Sequence, residues 1–322
     1  MSEPAVSILV PVYNREKLIV PCIRSALDQT LRNIEIVVVD NCSTDKTFEV
    51  CEQLAQADPR LRVYRNETNL GPVRNWMRCA ELARGRLGRI LFSDDLMLPS
   101  ALEKSVPYLD DPEVGFVVTA ATVGGEPGDG RVWYTWGNQN GKIASSVYLR
   151  AMMADGGQLP VSPCSSLYRL ADIRRHLVLE IPSPASHDFA GHGAGPDLLL
   201  SLFTASAYPA VVHLREPLAF FRSHAGSITR EKKDAVTGAY IQTRVWFARQ
   251  YRGSDWLEYA FGIAWLQSLR RERRWISPGA LRAELLLPSD PQPRVLHSLF
   301  SAMTGWVLPW LGDAMIPGRA RP

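Results

Sequence analysis

Two short stretches, Val6–Val12 (VSILVPV) and Ile34–Asp40 (IEIVVVD), decide the fold. Both are apolar and β-branched, with little of the alternation of a half-exposed strand, as parallel strands covered on both faces should be. Between them, Arg15–Gln29 carries apolar residues at helical spacing. The alternation then continues. A helix is expected over Thr44–Ala57, with Ser43 or Thr44 as N-cap and Asp45 in its first turn. A strand follows at Leu61–Tyr64, then a helix from Pro72 to Arg84, stopped by Gly85. Leu87–Phe92 is the fourth strand, Pro99 opens another helix, and Val114–Thr119 is the fifth strand. This order implies an α/β fold with a doubly wound, mostly parallel sheet. Ligands of such sheets bind at the carboxyl ends of the strands. Tyr13, Asn14, Asp40, Asn41, Asn66, Asp94 and Asp95 should therefore share one rim.

Composition narrows the partners. The chain has 322 residues, 46% hydrophobic and 21% charged, enough for a core of ordinary size. A net charge of +3 gives no basic face of the kind nucleic acid requires. The five cysteines contain no C-x-x-C pair, so neither a disulfide framework nor a zinc knuckle is expected, and reduced cytosolic thiols are. The opening MSEPAVSILVPVYN carries an acid where a signal peptide carries its basic region. No uninterrupted apolar run reaches the roughly 18 residues of a spanning helix. A cytoplasmic catalytic part is the expectation.

The rim excludes two nucleotide-binding classes. The turn after the first strand reads PVYNREK, without the glycines of a dinucleotide fingerprint, and no Walker loop is present. Asp94 and Asp95 instead place two carboxylates at a strand end. Mg²⁺ and Mn²⁺ take oxygen ligands, commonly one or two carboxylates together with substrate phosphates. An ion bridging a diphosphate makes it a better leaving group. Taken alone, an Asp-Asp pair is also an ordinary solvated turn.

Four blocks in order carry a resemblance: Pro11-Val12-Tyr13-Asn14, Val39-Asp40-Asn41-Cys42-Ser43-Thr44-Asp45, Asn69-Leu70-Gly71-Pro72-Val73-Arg74-Asn75 and Ser93-Asp94-Asp95. Together they resemble family-2 glycosyltransferases, which have the GT-A type Rossmann-like sheet. The likeness is close over roughly the first 120 residues and looser to about residue 230. It implies that Pro11, Tyr13 and Asn14 lie near the donor's base and that Asp40 accepts the base's imide N–H. It places Arg74 near base or phosphate, Asp94 at the ribose or the metal's waters, and Asp95 on a Mg²⁺ or Mn²⁺ ion. Where relatives commonly carry a second acid this chain has Asn41, and Ser93 departs from the triple-acid form.

In the second half, Gly195-Pro196-Asp197 before LLLSLF resembles the family's acid at a helix start. The resemblance implies that Asp197 deprotonates the acceptor hydroxyl, giving in-line displacement with inversion. An acid in a first helical turn is also favoured by the helix dipole alone. Phe220–Thr229 resembles the late R-x-H segment, making His224 a candidate metal ligand and Arg222 a candidate diphosphate contact. His192, in a glycine-rich loop, and Trp133 and Trp136, as sugar-stacking rings, are candidate acceptor contacts, with packing the competing reading.

The expected organisation is a nucleotide-sugar half over 1–120, an acceptor and base half over 121–232, and a helical C-terminal appendage over 233–322. Helices are expected near Ala235–Gln250 and Trp256–Arg273. Arg270, Arg271, Arg273 and Arg274, with Val295–Ile316 and its Trp306 and Trp310, suit either a membrane interface at the inner face of the plasma membrane or packing on protein, including a second subunit. The function expected is metal-assisted transfer from a nucleoside-diphosphate sugar, UDP or TDP before GDP, to a glycan or lipid-linked acceptor. An inactive transferase-like binding module and a sugar-phosphate nucleotidyltransferase are the alternatives.

Overall fold

A computed structural model describes residues 3–299 and 302, apart from 137, 155–158, 185–186, 228–231, 252, 273–276, 289 and 295–296. Among the described residues ten strands form one sheet. In chain order the elements are β1 (Val6–Val12), α1 (Ile19–Leu27), β2 (Ile34–Asp40), α2 (Thr47–Ala57), β3 (Leu61–Arg65), α3 (Pro72–Leu82), β4 (Leu87–Ile90) and β5 (Leu96–Met97). There follow α4 (Ala101–Ser105), β6 (Val114–Gly124), β7 (Arg131–Trp133), β8 (Gly141–Ala144), α5 (Ser145–Met153), β9 (Ser166–Arg169), α6 (Leu170–His176), α7 (Phe189–His192) and α8 (Pro196–Ala207). The last described elements are β10 (Ala210–Arg222), α9 (Lys233–Tyr251), α10 (Ser254–Glu272) and α11 (Pro278–Leu285).

The strands run in the order β3-β2-β1-β4-β9-β6-β10-β5, with β7 beside β6 and β8 beside β10. β1, β2, β3 and β4 pair in parallel, as do β6 and β10. The inserted β9 and the edge strands β5, β7 and β8 are antiparallel. Every residue of β1 and β2 is buried. Their side chains split between two cores. Leu9, Val37 and Val39 face one, while Val6, Ile8, Val10, Ile36 and Val38 face the other. Two covered faces are why these strands show so little alternation.

Several boundaries differ from the sequence expectation. α2 begins at Thr47, not Thr44, because Asp45 spends one carboxylate oxygen on the Thr47 N–H (3.0 Å) and hydroxyl (2.5 Å) instead of entering the helix. α3 ends at Leu82, and Gly85 is not its stop. A Cβ at Gly85 would lie 2.7 Å from Ser7 Oγ and 2.8 Å from Ser7 N, so glycine is there to let the chain pass against β1. Ser7 Oγ in turn accepts the Gly85 N–H (2.8 Å) and donates to buried Glu35 (2.7 Å).

α9 packs into the same apolar cluster as α8 and the sheet, through Val236, Ala239, Val245 and Phe247. No helix among the described residues is long and apolar enough to cross a membrane. Arg273, Arg274, Trp306 and Trp310 lie outside the described residues, as does nearly all of Val295–Ile316.

Gly85→Ala tests the close approach. β1 must shift to admit the methyl, and overpacking of this kind costs about 1–3 kcal/mol. The urea midpoint should fall accordingly. An unchanged midpoint would show that β1 and the Gly85 turn are not tightly apposed.

Candidate active site

The rim is built from strand ends held level by register. Val12 sits opposite Asp40, and Asp40 opposite Arg65. Beyond β1, Asn14 takes a left-handed backbone (φ 51) and so does Cys42 beyond β2 (φ 63). The two turns are stitched together. Asn14 N–H donates to Ser43 Oγ (2.9 Å), and Asn14 Oδ1 accepts the Thr44 N–H (2.9 Å). Pro11 stays buried in the strand, and Tyr13 projects 40% exposed at the rim.

Asp40 is fully buried. Its Oδ2 accepts the Ser43 N–H (3.0 Å) and pairs with Arg65 Nε (3.3 Å). Its Oδ1 has no partner. A buried carboxylate oxygen left without a donor carries a desolvation cost that an incoming N–H would relieve. A neighbour must move to admit one, and the Arg65 side chain, 40% exposed, is the mobile member of the pair.

Asn41 stands where the sequence comparison expected an acid, and its amide explains the exchange. Its Nδ2 donates to Asn69 Oδ1 (2.8 Å), while its Oδ1 accepts from Asn66 Nδ2 (2.9 Å) and the Leu70 N–H (3.0 Å). Asn66 Nδ2 also reaches Asn75 Oδ1 (2.9 Å), and Asn75 Nδ2 donates to Val39 O (2.9 Å). A carboxylate at 41 could accept but not donate. This asparagine network holds the turn that starts α3, where Arg74 stands exposed.

Asp94 and Asp95 follow β4, and β5 begins at the next residue. Leu96 pairs with Phe220 and Met97 with Ala219, antiparallel. That short ladder brings the end of β10 onto the two aspartates. Asp95 Oδ1 accepts the Arg222 N–H (3.0 Å), and His224 Nε2 lies 2.9 Å from Asp94 Oδ2. Burial, and secondly the Asp94 charge, push the Asp95 carboxyl well above its usual range. Behind the turn, two buried thiols hold the backbone of one residue: Cys164 Sγ accepts the Phe92 N–H (3.0 Å) and the Cys22 thiol donates to Phe92 O (3.5 Å). Among the described residues no three His, Cys, Asp or Glu side chains converge as a metal cage. Two adjacent carboxylates, Asp95 buried and Asp94 half-buried, suit a hard cation whose remaining ligands come from phosphate and water.

Across the site, Asp197 lies in the first turn of α8 and is buried. Its Oδ1 accepts the Gly195 (2.9 Å) and Leu198 (2.7 Å) N–H groups. Its Oδ2 accepts the Tyr240 hydroxyl of α9 (2.7 Å). Burial raises its pKa to about 6, against the lowering by Tyr240 and the backbone donors. One oxygen thus caps the helix start, and the other meets the Tyr240 hydroxyl. Gly193 (φ 74), two residues before Gly195, packs so closely on Trp76 that a Cβ would lie 2.3 Å from its ring. Trp76 in turn meets Phe92, ring centroids 5.0 Å apart. One tryptophan therefore spans from the Asp197 turn to the Asp94–Asp95 turn.

The glycosyl transferase family 2 model matches residues 7–173, just over half of the chain. The chain belongs to glycosyl transferase family 2. An uncharacterized protein of Mycobacterium tuberculosis is 39% identical over 114 residues, 35% of each chain. The putative glycosyltransferase EpsH of Bacillus subtilis is 29% identical over 257 residues, 78% of this chain and 71% of that one. Glycosyltransferase GlyG of Streptococcus pneumoniae is 33% identical over 118 residues, and the match spans 39% of its length. In fold, the chain superposes on residues 1–349 of TarS from S. aureus, crystallised with UDP-GlcNAc, with a TM-score of 0.62 and 17% identity over 97% of this chain and 93% of that one. The sheet is thus of the GT-A type.

Family 2 accounts for the rim and not for everything opposite it. Asp197, Arg222, His224 and Tyr240 all lie beyond the matched residues. Tyr240 was not singled out from the sequence, because a lone tyrosine in a helical run has many ordinary uses; Asn66 and Asn69 were, but not their shared partner in Asn41. Trp136 is 8% exposed and sits edge-on to Tyr148 and His213, so it is a core residue. Trp133 is 52% exposed on edge strand β7, and Tyr134 beside it approaches Phe221 (6.2 Å), the neighbour of Arg222. His192 is buried, its Nδ1 accepting the Ala194 N–H (3.1 Å), and burial lowers its pKa.

The Asp197 geometry has a sign that can be measured. The folded pKa of about 6 exceeds the unfolded value of 3.8. Stability from the protonated carboxyl is therefore complete below the unfolded value and lost as pH rises through about 6. Asp197→Asn, neutral throughout, should exceed the parent by up to about 3 kcal/mol at pH 8, narrowing to under about 1 near pH 4. Chemical denaturation at the two pH values checks it, and a gap independent of pH would refute the raised pKa.

Proposed function

We propose that this chain moves a sugar from a nucleoside-diphosphate sugar, with a uridine or thymidine donor favoured, to a hydroxyl of a glycan or lipid-linked acceptor. One observation carries the reading: a buried carboxyl with one oxygen committed to capping, Asp197, lies across Trp76 from the turn that bears the adjacent carboxylates Asp94 and Asp95. A base and a leaving-group site belong on opposite sides of an anomeric carbon when displacement is in-line. Asp40 Oδ1, buried without a donor, suits the imide N–H of uracil or thymine and also the N–H face of guanine. Cytosine has no N–H at the corresponding ring nitrogen, so a CDP donor is disfavoured.

In this mechanism Asp95, with Asp94 and His224 beside it, would hold Mg²⁺ or Mn²⁺. A bound divalent ion there neutralises charge that develops on the departing diphosphate. Asp197, ionised above about pH 6, takes the acceptor's proton through the free lone pair of Oδ2. Attack from that side inverts the anomeric centre. Arg222 and exposed Arg74 are the cations available to the diphosphate. Exposed Trp133 and half-buried Tyr134 offer an aromatic face on which an acceptor ring can stack, whereas the buried Trp136 serves to anchor their loop.

A thermal-shift panel of UDP, TDP, GDP and CDP with and without Mn²⁺ tests the proposal. A ligand that binds only the folded state raises Tm by mass action. UDP or TDP should shift Tm in the presence of Mn²⁺, CDP should not, and Asp95→Ala should abolish the metal dependence. Asp40→Asn should weaken the nucleotide shift by roughly tenfold in Kd, the worth of one hydrogen bond to a charged group. No shift with any nucleotide would turn the reading toward a transferase-like binding module.

A further inference from the structure

Helix α9 reaches the Asp197 turn. From it, Tyr240 donates its hydroxyl to Asp197 Oδ2 (2.7 Å). Three residues on, Thr243 packs on the turn that carries the base, and a Cβ at Gly195 would lie 2.6 Å from its Oγ1. Asp197 Oδ1 already accepts two backbone N–H groups, from Gly195 and Leu198. A carboxylate oxygen has two lone pairs. With Oδ1 saturated and one lone pair of Oδ2 taken by Tyr240, a single lone pair remains to receive a proton.

We propose that Tyr240 is a positioning residue of the transfer reaction, which aims the remaining lone pair of Asp197 at the acceptor and sets the pH at which the base is ionised. The proposal rests on reading Asp197 as the base. It makes helix α9 part of the catalytic machinery, although α9 lies outside the residues that the family model matches. Removing the hydroxyl alone leaves the ring in place, frees the second lone pair of Oδ2, and lets the carboxylate accept a proton from more than one direction. It also removes the strongest donor that stabilises the ionised form.

The titratable and charged groups around the carboxyl leave this effect readable. From α9 they are Tyr240 and Arg244, whose guanidinium lies over the Tyr240 ring (5.9 Å). From β9 there is Tyr168, hydrogen-bonded to Ser201 of α8 (2.8 Å), and Tyr134 adjoins Tyr240 from the loop after β7. Burial holds Tyr168 at about 12 and Tyr240 well above the ordinary phenol value, so neither loses its proton near neutrality. From α7, His192 has its Nδ1 occupied by the Ala194 N–H, and burial holds its pKa down.

The test is a double-mutant cycle on the full chain with Asp197→Asn and Tyr240→Phe, read as unfolding stability from pH 4 to 9. The pH at which the Asp197→Asn gap is half developed should rise by about one to two units in the Tyr240→Phe background, the worth of one charge-assisted hydrogen bond. With UDP-GlcNAc and Mn²⁺ as probe, the acid limb of kcat for donor turnover should move the same way. At pH 8.5 kcat should fall about tenfold with KM for the donor unchanged. An unmoved midpoint and an unmoved limb in a folded Tyr240→Phe protein would overturn the proposal and reduce Tyr240 to packing. If Tyr240→Phe does not fold, 3-fluorotyrosine at 240 keeps the shape and donates more strongly. The midpoint should then move down, and an unchanged midpoint overturns the proposal. A wild-type chain that turns over no sugar nucleotide, yet shows the moved midpoint, refutes the transferase reading and leaves the Tyr240–Asp197 pairing standing.

Discussion

A strand covered on both faces can present polar side chains to a ligand only where it leaves the sheet, and the rim of the site follows from that constraint. β1 and β2 are buried along their full length. Their first polar groups able to meet a ligand are therefore at their carboxyl ends, in Asn14 and Asp40. Parallel register then does the alignment, because Val12, Asp40 and Arg65 stand side by side across three strands. Asp40 itself is still inside the covered zone, which is why it is fully buried and why one of its oxygens lacks a donor.

The aspartate turn is held by a different device. β4 ends at Ile90, and the chain reverses within five residues to pair β5 with β10. Such a turn has few backbone partners of its own, so its polar groups are met from elsewhere. Cys164 takes the Phe92 N–H, Arg222 N–H goes to Asp95, and His224 meets Asp94. The free thiols thus have a structural use as small, weakly polar groups in a space too tight for larger ones. Trp76 supplies the rigid distance from this turn to the Asp197 turn, and Gly193 lets it approach.

Much of this was legible residue by residue. The doubly wound sheet could be read from VSILVPV and IEIVVVD because hydrophobic continuity and length are local properties of the chain. The rim could be read too, since polar residues that end apolar runs must cluster at strand termini. Helix starts were read less well. Asp45 looked like a first-turn acid but diverts its carboxylate to the Thr47 N–H, an outcome of local competition that composition does not decide. Gly85 looked like a helix stop and is instead a point of close contact with a strand 78 residues away in sequence.

By itself, then, the sequence determined the layer architecture, the rim and the types of chemistry available there, because these depend on short-range pattern. Only the tertiary structure decided which groups meet. The proximity of His224 to Asp94 spans 130 residues and exists because two residues of β5 pair with β10. The hydroxyl of Tyr240 on Asp197 spans 43 residues and depends on how α9 packs against the start of α8. Trp133 and Trp136 are three residues apart and equally aromatic, yet one is exposed and one is core. A positive φ at both Tyr134 and Trp136 turns the chain between them, and no periodicity in the sequence announces it.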